Sequence, residues 1–370
     1  MISFLSKTLK NQMILVVAGF LALFSMIFVP PDPQYLNYIN YRVLAILFSL
    51  MLVVGALGRI GTFDHLTGTL LRRIRSERMI SLLLVLMSFF LSMVLTNDVA
   101  LVTLVPFALM LLKAFDDRRR TIYTLILMTV GANLGSMLTP IGNPQNLYLY
   151  TEYQFSLPEF FRLMLPCSLL SLVLLCLGVF LLNRTDHTLN EAATRDVPRP
   201  DLKKLLLYLA LFVVCILTVA GVLHYLIMLG VVVVIIVLAD RGAFRQVDYG
   251  LLITFFFFFI LIGNLGRIDA VHSALTSIVE KDVELTAILS SQVISNVPAA
   301  MLLSAFTDQG SALLIGVNLG GLGTLIASMA SLITYKFYAK ERRKGEHYLL
   351  AFTVINIIFL LILYGFHKLI

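Results

Sequence analysis

Charged residues are scarce in this sequence. Lys, Arg, Asp and Glu make up 13% of the 370 residues, whereas hydrophobic residues make up 59% and the mean hydropathy is +0.94. A soluble domain carries about 25% charged residues, so the composition excludes a soluble enzyme, a nucleic-acid-binding module and a disordered chain. The sequence therefore predicts a protein that lies in a lipid bilayer. Its net charge of +7 is then better explained by basic cytoplasmic loops than by binding to nucleic acid.

Motifs for reactive and metal-binding chemistry are also lacking. The three cysteines, Cys167, Cys176 and Cys215, lie in apolar runs, so we expect neither a disulfide framework nor a zinc site. The histidines have no metal-ligand spacing, and the sequence contains no intramembrane protease motif and no Walker A loop. We therefore expect neither an enzyme nor an ATP-driven pump, and no cofactor other than a coupling ion.

Nine apolar runs are candidates for membrane-spanning helices, because about 20 such residues cross about 30 Å of hydrocarbon. The runs are 12–29, 42–57, 121–137, 159–182, 205–223, 225–239, 249–265, 311–337 and 347–366. A signal peptide is the alternative for the first run. However, Phe28-Val29-Pro30-Pro31 offers no small-residue cleavage site, which favours a retained helix.

Two further apolar stretches, 79–113 and 285–307, are each interrupted by a polar turn. The turns are Thr96-Asn97-Asp98 and Ser295-Asn296-Val297-Pro298. The first stretch would be ~51 Å long as one straight helix, too long for the bilayer. We predict that both stretches are re-entrant hairpins. Irregular backbone at membrane depth is tolerated only inside protein or beside a water-filled cavity, so each turn points to a site.

The basic residues predict the orientation of the chain. With a cytoplasmic N-terminus, 23 of the 28 Lys and Arg residues fall on the cytoplasmic side, where such residues collect. This count supports nine spans, two hairpins and an external C-terminus. The first hairpin has basic flanks and should open to the cytoplasm, whereas the second has acidic or neutral flanks and should open outside.

The sequence repeats itself in two halves, 1–182 and 205–370, joined by a polar cytoplasmic linker at 183–204. Three blocks of the first half recur in order in the second half. Gly55–Ile60 matches Gly263–Ile268 at an offset of 208, Thr96-Asn97 matches Ser295-Asn296 at 199, and Gly131–Ile141 matches Gly316–Ile326 at 185. Matching blocks run in opposite directions across the membrane, so we predict an inverted-topology repeat, as in many secondary transporters.

Each half also contains an amphipathic stretch before its hairpin, at 61–78 and at 267–284. The spacing of their apolar residues predicts helices that lie in the membrane interface. They could be arms that join a moving hairpin to a fixed part, or surface helices with no mechanical role.

The hairpin tips have the chemistry to bind ions. A helix that ends there offers carbonyl groups to a cation, and a helix that begins there offers N–H groups to an anion. Asn97 and Asn296 could instead act only as helix caps. Asp98 is the one carboxylate deep in a hairpin, and its counterpart is Val297. A charge at that depth is costly, so Asp98 is a candidate proton carrier, with a cap or a structural ion pair as the alternative.

The Gly131–Ile141 block and its copy provide a second group of candidates. Gly131 and Gly135 have the spacing of close helix packing, but Asn133 lies between them, and Asn318 occupies the same place in the copy. The segment Thr139-Pro140-Ile141-Gly142-Asn143-Pro144 cannot continue a regular helix. The copy has no proline, so we expect the sharper break in the first half.

These motifs together resemble the ion transporter superfamily, which includes citrate and dicarboxylate carriers, arsenite efflux permeases and some sodium/proton antiporters. The likeness covers most of the chain and is nearest to bacterial arsenite-permease-like anion transporters. The resemblance implies an all-α polytopic homodimer in the bacterial inner membrane, with a transport part that moves as an elevator.

The resemblance also implies which residues bind substrate and coupling ion at the tips and helix breaks. They are Thr96, Asn97, Ser295, Asn296, Asn133, Thr139, Gly142, Asn143, Asn318 and Thr324, to which the argument above adds Asp98. A sodium site near Thr96, Asn97 and Asn143 is one possibility, and a proton is the other coupling ion.

The sequence therefore predicts a secondary active transporter of a small anion, working by alternating access. A cation/proton antiporter and an efflux permease for arsenite or another metalloid oxyanion stay open as alternatives.

Overall fold

A computed structural model describes residues 13–71, 74, 76–115, 117–182, 198–341 and 346–370. Within this part of the chain the secondary structure is helical, apart from an isolated bridge at Ser76. The helices are α1 (Met13–Ser25), α2 (Tyr35–Tyr38), α3 (Tyr41–Arg59), α4 (Thr62–Leu71), α5 (Glu77–Ser92), α6 (Asn97–Leu112), α7 (Arg118–Ser136), α8 (Pro144–Glu152), α9 (Leu157–Leu182), α10 (Leu202–Val219), α11 (Tyr225–Ala239), α12 (Tyr249–Gly266), α13 (Asp269–Val279), α14 (Val283–Ile294), α15 (Asn296–Ser304), α16 (Gly310–Leu319), α17 (Met329–Glu341) and α18 (Glu346–His367).

Five of these helices are long and apolar enough to cross a membrane: α3, α9, α10, α12 and residues 347–367 of α18. Shorter apolar helices accompany them, including α6, α11, α14 and α16. The prediction of an all-α polytopic membrane protein is therefore confirmed. The linker predicted at 183–204 lies largely outside the described residues, which resume at 198.

The two polar turns divide helices where the sequence predicted. The stretch 79–113 contains α5 and α6, which pack against each other and are separated by residues 93–96. The stretch 285–307 contains α14 and α15, separated by Ser295 alone. Ser295 adopts a positive φ of 73°, which lets the chain reverse within one residue.

The predicted run 121–137 corresponds to α7, which ends at Ser136, and helix resumes with α8 at Pro144. The predicted run 311–337 is broken over residues 320–328, between α16 and α17. The expectation that the break in the first half is the sharper one stays a prediction. In the second break Gly323 has a φ of 107°, a conformation that only glycine adopts readily.

The described helices fall into two compact units. Unit 1 comprises residues 1–59, 203–283 and 301–310, and within it α1 packs against α12 and α3 packs against α11. Two ion pairs in this unit are related by the same offset of 208 residues. Arg59 Nε lies 2.8 Å from Asp240 Oδ2, and Arg267 Nη1 lies 2.8 Å from Asp32 Oδ2. Each repeated arginine therefore bonds to an aspartate from the other half of the sequence.

Unit 2 comprises residues 60–202, 284–300 and 311–370. Its centre is α7, which packs against α5, α9 and α17, and α6 packs against α17. At the basic end of the unit, buried Arg120 pairs with buried Glu77 on α5 and, at 3.1 Å, with Asp117. Because a buried guanidinium needs such partners, this network fixes the start of α7 against the start of α5.

Candidate functional site

All the predicted site residues belong to unit 2. This unit contains both polar turns, which we call tip 1 (residues 93–97) and tip 2 (295–296), and both interruptions, which we call break 1 (137–143) and break 2 (320–328). The buried members, each at most 5% exposed, are Asn97, Asn133, Asn143, Ser295, Asn296 and Asn318. The half-buried members are Thr96, Asp98, Thr139 and Thr324. The site therefore has an amide core with hydroxyl and carboxylate groups nearer its surface.

Tip 1 is held by break 1. The Asn97 backbone N–H donates to Gly142 O at 3.1 Å, and Thr139 Oγ1 donates to Met93 O at 2.5 Å. Thr96 is the residue that caps α6, with Oγ1 accepting from Val99 N at 3.5 Å. Asn97 is thus the first helical residue and not the cap that the sequence suggested.

Tip 2 is held by break 2 in the same way. The Asn296 backbone N–H donates to Ala327 O at 3.0 Å, and Thr324 Oγ1 donates to Gln292 O at 3.3 Å. Asn296 and Ala327 correspond to Asn97 and Gly142, and Thr324 and Gln292 correspond to Thr139 and Met93. The correspondences are those of the sequence repeat, at offsets of 199 for the tips and 185 for the breaks. The contacts recur although two of the four residue types differ, Gly142 against Ala327 and Met93 against Gln292.

The side chains of the two breaks reach across to the opposite copy. Asn143 Nδ2 donates to Asn318 Oδ1 at 3.2 Å, and Ser328 Oγ donates to Asn133 Oδ1 at 3.0 Å. Asn143 and Ser328 are equivalent positions, as are Asn318 and Asn133. Asn133 Oδ1 also accepts from Asn97 Nδ2 at 3.0 Å, so one amide joins tip 1, α7 and break 2. Ser136 joins these two groups, because its Oγ accepts from Asn143 Nδ2 at 3.1 Å and donates to Asn133 O at 2.9 Å. Four of the predicted amides therefore form one network, whereas among the described residues the Asn296 side chain bonds only the N–H of Val297.

Close packing explains the two Gly-x-x-x-Gly motifs. A Cβ on Gly135 would lie 2.0 Å from Phe89 O and 2.7 Å from Ser92 Oγ on α5. A Cβ on Gly320 would lie 2.7 Å from Ser291 Oγ on α14, the position equivalent to Ser92. Small residues let each broken helix approach its hairpin. The packing interpretation is confirmed, and it coexists with the amide network because the asparagines lie between the glycines.

The first turns of α6 and α15 differ from the expectation that they offer free N–H groups. At tip 1 the N–H groups of residues 97 to 100 all donate within the protein, the second of them to Asn97 Oδ1 at 2.9 Å. At tip 2 the N–H of Val297 donates to Asn296 Oδ1 at 2.9 Å, Pro298 has no N–H, and Ala299 N donates to Ser295 O. In both tips an asparagine side chain therefore occupies the second N–H group.

Sequence analysis did not identify two further amides that bond the residues of the breaks. Gln292 Nε2 donates to Gly320 O and Leu322 O, both at 2.9 Å, and its Oε1 accepts from Thr324 N at 2.9 Å. Asn146 accepts from Asn318 Nδ2 at 2.7 Å and donates to three carbonyls of residues 136–139. An amide inside an apolar helix is the signal that could have identified Gln292, since such a group needs several partners.

The donors and acceptors of the network are uncharged amides, hydroxyls and carbonyls. The described residues contain no cluster of three or more His, Cys, Asp or Glu side chains suited to a metal ion. Asp98, in the first turn of α6, places the one carboxylate beside this network, next to Asn97. These groups are suited to bind a small polar ion by hydrogen bonds and helix-end dipoles, and they contain no group built for covalent chemistry.

Comparison with known proteins identifies the family. The sequence description of the citrate transporter family matches residues 2–311. The chain belongs to the citrate transporter family. It is 31% identical over 336 residues to an uncharacterized transporter of Methanocaldococcus jannaschii, covering 90% of this chain and 91% of the relative. It is 33% identical over 326 residues to the inner membrane protein YbiR of Escherichia coli, with 85% of each chain covered.

A third relative resembles a shorter part of the chain. The silicon efflux transporter LSI3 of Oryza sativa is 33% identical over 151 residues, which are 40% of this chain and 30% of that protein. Membership of the citrate transporter family confirms the resemblance drawn from the tips and breaks. It also makes this chain a multi-pass membrane transporter.

Proposed function

We propose that this protein is a secondary active transporter of a small anion that works by alternating access. The observation that carries the proposal is the connection of both tips and both breaks within unit 2, with Asn133 and Asn318 each bonded to the opposite copy. A ligand held among these groups would contact both halves of the sequence at once. We further propose that unit 2 carries the ligand between the two sides in an elevator-like movement.

The proposed topology is an inverted repeat with nine spans and two re-entrant hairpins, a cytoplasmic N-terminus and an external C-terminus. It is supported by the excess of Lys and Arg in the segments placed inside and by the recurrence of contacts at the sequence offsets 199, 185 and 208. We place the protein in the bacterial plasma membrane, and we propose a homodimer.

The substrate class follows from the uncharged lining. Amide and hydroxyl groups bind oxygen atoms through hydrogen bonds but do not neutralise several charges at once. An oxyanion of low charge fits these groups better than a trianion such as citrate. The relative named as a silicon efflux transporter favours the same class, so export of a metalloid oxyanion is a second candidate for this chain.

The coupling ion is a proton or sodium. Asp98 supports the proton, because a half-buried carboxylate at a hairpin tip can exchange a proton between two environments. A sodium site near Thr96, Asn97 and Asn143 would instead use hydroxyl, amide and carbonyl oxygens. If Asp98 binds both ions in turn, the protein is a cation/proton antiporter, which is the third candidate.

A ligand screen on the purified protein tests the substrate class. Silicic acid, arsenite, phosphate, citrate and sodium are added one by one, and the melting temperature is followed at several pH values, since a bound ligand stabilises the folded state. We expect stabilisation by a small oxyanion that disappears in Asn97→Ala. Stabilisation by citrate alone would contradict the low-charge class, and stabilisation by sodium alone would favour the antiporter.

Thiol labelling tests the topology. Arg119, an exposed residue in the first turn of α7, and Asp308, an exposed residue after α15, are replaced by cysteine in two separate variants. A membrane-impermeant maleimide should label Arg119→Cys only from the cytoplasmic side and Asp308→Cys only from the external side. Labelling of both from one side would contradict the inverted repeat.

A further inference from the structure

Unit 2 contains a row of buried hydroxyl groups that starts at the amide network and that the proposed function does not use. Ser331, Thr334 and Tyr338 lie on one face of α17, at spacings of three and four residues. Thr129, four residues before Asn133 on α7, donates to Thr334 Oγ1 at 2.9 Å. All four side chains are fully buried. The row begins near Ser328, whose hydroxyl donates to Asn133.

The far end of the row reaches the basic end of unit 2. Tyr338 accepts a hydrogen bond from Arg118 Nε at 3.4 Å, and its ring stacks on that of Tyr348, with centroids 4.8 Å apart. The Tyr348 hydroxyl lies near enough to Thr129 for an electrostatic interaction. The row therefore extends from the amide network to Arg118, on the side that the charge distribution predicts to be cytoplasmic.

One hydroxyl in the row lacks a hydrogen bond among the described residues. Ser331 Oγ is fully buried and has no partner there. Leaving a buried hydroxyl unbonded is costly, and ordered water is the usual means of satisfying it. A water molecule bound to Ser331 would extend the bonded pair Thr129 and Thr334 toward the amide network.

The other copy shows that packing does not require these hydroxyls. The positions equivalent to Thr129 and Thr334 are Leu314 and Leu149, which are buried as well. The position equivalent to Ser331 is Asn146, which is fully engaged with Asn318 and with three carbonyls. Tyr338 has a hydroxyl counterpart in Tyr153, but the bonded pair Thr129 and Thr334 exists in one copy only.

We propose that Ser331, Thr334, Thr129, Tyr348 and Tyr338, with water between them, form a path that conducts protons between the amide network and the basic end of unit 2. Each hydroxyl oxygen accepts a proton from the preceding group and releases its own to the next oxygen, so the number of protons on each group is unchanged. The O–H bonds then point the opposite way, and each hydroxyl and water rotates back before the next transfer. The proton is taken up at the site by the bound oxyanion. This step rests on the proposed function, in which the site binds such an ion.

Thiol reactivity tests for water in the path without requiring transport. Thr334→Cys and the control Thr124→Cys are treated with a small methanethiosulfonate reagent, which reacts with thiolates in water, and modification is followed by intact mass. Thr124 is a matched control, because it lies on α7, is equally buried and bonds Ser81 at 2.9 Å outside the row. We expect Thr334→Cys to react at least about tenfold faster, since thiolate formation requires water. Equal rates would overturn the proposal.

Proton flux tests whether the path is used. The full-length protein is reconstituted in liposomes with an internal pH dye, and arsenite or citrate is added as probe. Thr334→Val and Thr129→Val should each slow the coupled proton movement by about tenfold, the effect of losing roughly one hydrogen bond's free energy from the pathway, whereas Thr124→Val should not. Wild-type rates in both variants would overturn the proton path. Probe movement without protons in the wild type would overturn the path but leave the transporter, and no probe movement would count against the proposed function alone.

Discussion

The two copies of the tip and break differ in residue type far more than in contacts. Each tip is held by a backbone hydrogen bond to the break of its own copy, yet Met93 is matched by Gln292 and Asn143 by Ser328. Where Met93 is replaced by Gln292, the shared contact uses the backbone carbonyl of that residue, so the side chain could diverge while the geometry was kept. The comparison teaches that positions where the copies differ chemically are the places to look for a directional function. Asp98 against Val297 and Thr334 against Leu149 are two such positions.

The largest loss of stability is expected from adding a side chain where a glycine lets two helices approach closely. Gly135→Ala would place a Cβ 2.0 Å from a backbone oxygen, so we expect at least about 3 kcal/mol of destabilisation or failure to fold. Gly320→Ala meets the Ser291 hydroxyl at 2.7 Å and a backbone oxygen at 2.8 Å, so it should cost less. Thermal unfolding in detergent measures both. Gly230→Ala in α11 is the control, because its Cβ would meet nothing within 4 Å; equal losses in all three would contradict the packing argument.

The next largest effect is expected from removing the side-chain amides of the two tips. Asn97→Ala and Asn296→Ala should each weaken ligand binding by about tenfold or more, because each removes an amide from the site. Asn97→Ala should also lower stability more, since Asn97 bonds Asn133 and no such bond to Asn318 is seen from Asn296 among the described residues. Ligand-induced thermal shifts separate the two effects. Normal transport by either variant at normal expression would reduce that asparagine to a structural role.

Replacing a residue of the second copy by its equivalent in the first tests whether break 2 depends on side-chain bonds that break 1 lacks. Gln292→Met introduces the residue of tip 1 and leaves Gly320 O and Leu322 O without their amide donor, so it should cost about 1–3 kcal/mol. The reverse change, Met93→Gln, removes no described hydrogen bond and serves as the control. Denaturation of the two variants side by side measures the difference. A stable Gln292→Met variant would show that break 2 does not depend on this side chain.

The smallest structural effect, but an informative functional one, is expected from Asp98→Asn. The substitution keeps the shape and removes the charge, so binding and one-for-one exchange of substrate should survive while accumulation driven by a gradient is lost. Liposome uptake under imposed pH and sodium gradients distinguishes proton from sodium coupling. If the variant still accumulates substrate with unchanged pH and sodium dependence, Asp98 has only a structural role in the first turn of α6.

Much of the fold was predictable because the relevant signals are local in the sequence. Apolar length identified the five long helices, and the polar turns at Asn97 and Asn296 correctly marked where the stretches 79–113 and 285–307 are divided. The repeated Asn133 and Asn318 correctly marked the amide network. The contacts of break 2 could not be predicted, because they involve Gln292, which lies 28 residues before Gly320. A contact between such distant residues leaves no local pattern, and neither does the bond from Asn143 to Asn318.

The occupied first turns at the two tips have a consequence for ligand selectivity. A ligand oxygen that takes the N–H of Asp98 or Val297 must displace the asparagine oxygen already bound there. Binding is then an exchange of acceptors, and the heat released reflects only the difference between them. Charged oxygens accept more strongly than amide oxygens, so an anion can complete the exchange while water and neutral carbonyls gain nothing. If the tips bind the ligand as proposed, they therefore bind negatively charged oxygen atoms more strongly than neutral ones, because only a charged oxygen is a better acceptor than the asparagine oxygen it replaces.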